Sequence, residues 1–174
     1  TSNKKDSTGI CFIGERPFPE FIGSYLSGEE GNIINENDDV IGIHQGLVFY
    51  TLGQRQGLGI GGVKGSPDLP WYVAKKNLKT NELLCVQGND HPLLFSRELS
   101  TKNLFKLEDS LPTSFEGTAK VRYRQEDQSC EIYVEDNALN IKFHKPQRSV
   151  TPGQSVVIYK NDKCLGGGEI CTIN

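Results

Sequence analysis

Residues 117–143 read GTAKVRYRQEDQSCEIYVEDNALNIKF, and the fold is decided in this stretch. Ala119, Val121 and Tyr123 alternate with Lys120, Arg122 and Arg124. A period of two sends successive side chains to opposite faces of a strand, here apolar to one side and cationic to the other. β-rich runs follow at 130–134 and 139–143, split by the turn pair Asp136-Asn137. Outward from there, runs at 102–107, 155–159 and 168–173 are bounded by Asp109-Ser110-Leu111-Pro112, Thr151-Pro152-Gly153 and Asn161-Asp162. Short strands at this spacing predict a small six-stranded barrel over 92–174. Upstream, runs at 32–34, 40–43, 47–52, 71–74 and 83–86 predict a central β domain over 29–91, with Asn89-Asp90-His91-Pro92 as the boundary. Phe18, Phe21, Ile22 and Tyr25 fall at helical spacing behind Pro19, which predicts one short helix within an N-terminal segment, 1–28. The expected class is all-β: two small β domains behind that segment.

Composition agrees. Gly (19) and Pro (8) are abundant in 174 residues without a collagen-like period, as a turn-rich fold requires. No apolar run is long enough for a transmembrane span, so no membrane partner is expected. Thr1 to Asp6 is polar and lacks the apolar core of a signal peptide. Thr1 stands where an initiator Met would be and Met is absent throughout, so the sequence is expected to be a piece of something longer. A net charge of −3 argues against a broad polyanion binder but leaves room for local cationic stripes. Five cysteines, at 11, 85, 130, 164 and 171, form no Cys-x-x-Cys. The odd number and the lack of a secretory signal point to a reducing cytoplasm. Four suitably spaced ligands cannot be assembled, so no metal site is expected.

Three features could carry chemistry. Gly57, Gly59 and Gly62 match G-x-G-x-x-G, but Gly65, Pro67 and Pro70 leave no room for the helix that a dinucleotide site needs. The loop reads either as a flexible turn or as bare backbone that approaches a polyanion or a partner domain, with Gln54 and Arg55 at its mouth. Cys11 lies between Gly9 and Gly14 and near Lys4, Lys5 and Arg16. That setting suits a reactive thiol, although its apolar neighbours Ile10 and Phe12 equally suit a small buried hydrophobe. The other four cysteines lie in or beside strand runs, where core packing is the default. Lys120, Arg122 and Arg124 beside Tyr123 suit an RNA backbone or an unstacked base, and Lys142, His144 and Lys145 extend the basic face. The bland alternative is a solvated strand face.

DSTGICFIGER (6–16), IGIHQGL (41–47), YTLGQRQGLGIGG (50–62), PWYV (70–73), VRYRQ (121–125), TPGQSVV (151–157) and CLGGGEI (164–170) occur in order. Together they resemble the C-terminal half of the tRNA-specific 2-thiouridylase family, over nearly the whole chain. The resemblance implies a tRNA-uridine 2-sulfurtransferase, which replaces the C2 oxygen of the wobble uridine with sulfur. ATP, with Mg, adenylates that oxygen, and a cysteine persulfide delivers the sulfur. A second cysteine, in the nucleotide-binding domain, completes the transfer. It also implies that Cys11 is the persulfide carrier, that Arg122, Tyr123, Arg124 and Gln154 contact tRNA, and that a cysteine desulfurase or sulfur relay protein is a partner.

The family's Ser-Gly-Gly-x-Asp-Ser loop is absent from these residues, and no position matches its second catalytic cysteine. ATP is therefore expected to bind a domain that these residues lack, and the 174 residues alone are expected to be inactive. The competing expectation is a non-catalytic, two-domain RNA-binding or translation-factor-like module.

Overall fold

A computed structural model describes residues 28–61, 67–123 and 125–174. The helix expected within 18–26, Cys11 and Arg124 lie outside the described residues. Among the described residues the fold is all-β, and no helix is long and apolar enough to cross a membrane.

β1 (Gly31–Ile34), β2 (Val40–His44), β3 (Trp71–Asn77) and β4 (Glu82–Gln87) form one sheet in the order β2-β1-β4-β3. The β1–β4 pair is parallel and the other two pairs are antiparallel. Asn35 closes the β1–β2 turn, its Oδ1 accepting from the amides of Asn37 and Asp39, both at 2.9 Å. This is the local side-chain bond that makes Asn a turn residue. Ile33, Val73, Leu83 and Cys85 are fully buried beneath Leu47, Tyr50 and Leu58.

The strand expected at 47–52 is not formed. Leu47–Phe49 is a single 3-10 turn, entered through Gly46 at φ 130°. Leu47 and Tyr50 are three residues apart, and a 3-10 turn aligns that spacing, so both reach the core. His44 secures the entry. The Gly46 amide donates to its Nδ1 at 3.0 Å, which leaves Nε2 as the donor to the Asn81 carbonyl, also at 3.0 Å. The histidine of the IGIHQGL motif is thus a buried connector with both ring nitrogens paired.

The second unit comprises β5 (Phe95–Lys106), β6 (Ser114–Lys120), β7 (Gln128–Glu135), β8 (Ala138–Arg148), β9 (Ser155–Lys160) and β10 (Lys163–Ile173). They close into a barrel in the cyclic order β10-β5-β8-β7-β6-β9, antiparallel throughout. Alternate residues point inward, among them Cys130 and Ile132 of β7 and Leu139, Ile141 and Phe143 of β8. β5 begins at Phe95, ahead of the run expected from 102. Its first residues pair with the end of β8, and polar Ser96, Arg97 and Glu98 hide this segment in the sequence. Closure depends on the Gly166-Gly167-Gly168 run. At Gly166, φ is 145° and a Cβ would lie 2.1 Å from the Phe105 carbonyl oxygen of β5. Only glycine permits that approach.

The cysteines divide. Cys85 and Cys130 are core residues, and burial pushes both thiols up to about 12. Core packing, expected for all four strand cysteines, fails at Cys164, which is half-buried, and at Cys171, which is exposed. The β10–β5 register slips between Ile170 and Thr172, and Cys171 emerges outside the barrel beside the Ser100 carbonyl.

Two outcomes are expected. Phe143→Ala removes a fully buried ring from the barrel centre and costs about 3–5 kcal/mol, read as a lower denaturant midpoint with an unchanged slope. Maleimide at pH 8, followed by peptide mapping, labels Cys171 in the native chain and reaches Cys85 and Cys130 only after denaturation.

Candidate nucleic-acid interface

β6 ends at Lys120, so Arg122 does not continue a cationic stripe along that strand face. Val121 to Tyr123 turn away from the sheet. The Gln125 side chain takes the place of the ladder, its Oε1 accepting from the Val121 amide at 2.9 Å. Its Nε2 donates to Gln147 Oε1 at 2.7 Å, and Gln147 Nε2 donates to Gln128 Oε1 at 3.1 Å. This chain of glutamine amides shapes the turn and presents Arg122 and Tyr123 outward; Tyr123 is 79% exposed. Lys120 is drawn off to Asp127 at 2.8 Å, and its pKa is raised by the hydrogen bond to that carboxylate. The cationic group is therefore narrower than the sequence pattern suggests.

Arg122 Nη2 donates to the Ser149 carbonyl at 3.2 Å. Thr151 Oγ1 donates to the same oxygen at 3.0 Å. Thr151 begins the turn that contains Gln154, whose amide bonds the Thr151 carbonyl at 3.2 Å. Arg122 and the Gln154 turn thus share one anchor. Ser149 lies at φ 53°, and its amide donates to the Leu94 carbonyl at 2.7 Å.

The first unit meets the barrel at this point. Tyr72, Val86 and Leu94 form a buried cluster, with Phe95 packed against it. The Arg148 guanidinium lies 5.0 Å from the Tyr72 ring centroid, a cation–π contact, and its Nε donates to the Asn89 carbonyl at 3.3 Å. Gly53, at φ 79°, packs against the Ser149 hydroxyl so tightly that a Cβ there would lie 2.1 Å from Oγ. Gly53 is in turn fixed to β3, its amide donating to the Val73 carbonyl at 2.7 Å. No sequence signal marked Arg148 and Ser149; their role arises from contact across the two units.

The remaining nominated residues separate. Lys142 pairs with Glu98 at 3.3 Å and His144 with Glu116 at 3.2 Å, so neither extends a free basic face. Lys145 has no ion pair among the described residues. The Gln54 amide is internal to its loop, accepting from the Thr51 amide and donating to the Gln56 carbonyl, both at 2.9 Å. Glu116, Glu131 and His144 bring ligand-type atoms within 4.8 Å on the outer wall, a juxtaposition of β6, β7 and β8 that sequence order conceals. The Tyr133 hydroxyl, donating to Glu131 at 2.7 Å, and the His144–Glu116 pair account for their arrangement. Among the described residues, no helix follows Gly57 and Gly59 to hold a polyphosphate.

Two family models match the chain, one over part of each unit. Residues 19–87 match the family described as tRNA methyl transferase PRC-barrel domain, and residues 96–170 match that described as aminomethyltransferase beta-barrel domain. The tRNA-specific 2-thiouridylases MnmA of Francisella tularensis subsp. tularensis (strain WY96-3418) and subsp. holarctica (strain LVS) are each 57% identical over 98% of this chain. That of subsp. novicida (strain U112) is 56% identical over the same share. The matched residues cover 48% of each relative, so the chain spans about half the length of the curated relatives it matches. With both units matched in order and this identity along nearly its whole length, the chain corresponds to a portion, about half, of a tRNA-specific 2-thiouridylase.

Proposed function

We infer that this chain supplies the sulfur-carrying cysteine and the RNA-gripping surfaces of a tRNA 2-thiolation reaction. Arg122 carries the reading. One guanidinium nitrogen is held by the Ser149 carbonyl, while the residue itself stays exposed beside an exposed tyrosine. An arginine oriented in this way keeps donors for phosphate without losing side-chain order on binding. Tyr123 offers a ring face to an unstacked base. Arg124 and Gln154 complete the proposed tRNA contacts.

Cys11 is the proposed persulfide carrier, loaded by a cysteine desulfurase or a sulfur relay protein in the cytoplasm. The outer sulfur of a persulfide is a softer and more acidic nucleophile than a thiol, which suits attack at an activated carbon. Cys85 and Cys130 are poor competitors, since burial disfavours their thiolates. Because the sequence contains no Ser-Gly-Gly-x-Asp-Ser loop, activation of the uridine by ATP is assigned to residues outside this set. The 174 residues alone are then inactive in ATP-dependent thiolation.

Two measurements test this reading. Incubation with a cysteine desulfurase and cysteine places the persulfide on Cys11, located by mass spectrometry of trapped peptides; label absent from Cys11, or spread over all five thiols, favours the non-catalytic RNA-binding alternative. Arg122→Ala weakens tRNA binding and lowers the slope of log affinity against log salt by about one unit. An unchanged slope removes Arg122 from the interface.

A further inference from the structure

The glycine loop of the first unit is not accounted for by the contacts above. It lines an open cavity of about 620 Å³ together with Arg55, Asp68, Trp71 and Gln87. Leu58 is buried and Ile60 packs on the core, so the intervening glycines face outward. Among the described residues, a Cβ built on Gly59 or Gly61 meets nothing within 4 Å. No described side chain covers this backbone, so a ligand can approach it closely. Opposite stands Trp71, half-buried at the start of β3 with part of its surface on the core. Gln87 Nε2 fixes the rim, donating to the Pro67 carbonyl at 2.8 Å and the Leu69 carbonyl at 3.1 Å.

The chemistry of the lining is mixed in an informative way. Arg55 is exposed and has no ion pair among the described residues. Asp68 would repel a free polyanion, yet it can accept from the N–H groups of a base. One cation, one acceptor, one large aromatic and exposed backbone amides together suit a nucleotide better than an apolar ligand or a bare phosphate. Position supports the same ligand. Gly53, two residues before Arg55, packs on Ser149, and the carbonyl of Ser149 holds Arg122. The cavity and the arginine turn flank one junction, so a single RNA strand can cross both.

We propose that this cavity receives one unstacked nucleotide of the tRNA, with Arg55 on its phosphate and Trp71 against its base. The proposal rests on the tRNA-binding reading above and extends it to the first unit. Trp71 is the sole tryptophan of the chain, so its emission reports directly on the cavity.

The test titrates the full 174-residue chain with a tRNA transcript while recording Trp71 fluorescence, with affinity measured separately by filter retention. Emission is expected to be quenched with the midpoint of the binding curve. Arg55→Gln is expected to reduce the salt slope by about one unit. Gly61→Leu fills the cavity and is expected to abolish quenching and weaken binding about tenfold. Circular dichroism checks that the fold is retained; should Gly61→Leu unfold the chain, the exposed Arg55 variant decides. Binding that depends on Arg122 while Trp71 emission stays constant and Arg55→Gln is neutral overturns the cavity proposal alone. No measurable tRNA binding at any salt overturns the underlying reading and this one with it.

Discussion

The packing of Gly53 against Ser149 sets the geometry of the described residues that concern function. A β-carbon at position 53 has no room, and both backbones are left-handed there, so the two units meet through a steric fit. Around that contact the Ser149 amide is fixed to Leu94, its carbonyl serves Arg122 and Thr151, and Arg148 lies over Tyr72. By contrast, the hydrogen bond between His91 and Glu36 at 2.7 Å joins partly exposed groups. Such a pair contributes about 0–1 kcal/mol, too little to define an interface. The junction also carries a cost. Ser149 Oγ and Arg148 Nη2 are buried without a partner among the described residues, and each such group costs about 1–3 kcal/mol. Burial of Tyr72, Val86 and Leu94 offsets it.

Much of the fold was legible because its signals are local. Alternation at 130–134 and 139–143 marks β7 and β8, and the strand pair at 71–77 and 82–87 is announced by the polar turn between them. The exceptions share a cause. Leu47 to Leu52 reads as a strand by residue type, but the core lies at the i, i+3 positions and Gly46 has already turned the chain. The beginning of β5 is polar because one partner strand, rather than a buried face, holds it in place.

The candidate site was legible only in its residue types. Arg122 and Tyr123 stand out in the sequence, and both are exposed. Their geometry does not follow from the alternation, because Gln125 ends the strand by substituting its amide for a ladder bond. Charge counting also overstates the cationic surface. Lys120, Lys142 and His144 each meet a carboxylate brought by a different strand or turn, and only the pairing of the strands makes those neighbours known. Arg148 and Ser149 carry no motif at all, since their importance lies in a contact with a loop almost a hundred positions earlier in the chain.

The cyclic strand order has a consequence for synthesis on the ribosome. β10, the last strand of the barrel, supplies one edge partner for β5 and one for β9. Until it emerges, β5 and β9 each present an unpaired edge, whereas β6, β7 and β8 can already pair as a local meander. The nascent barrel is therefore most open to edge-to-edge association just before β10 emerges. The glycine run at 166–168 helps to end that interval, because a strand bare at its closest approaches can slide between two neighbours that are already in place.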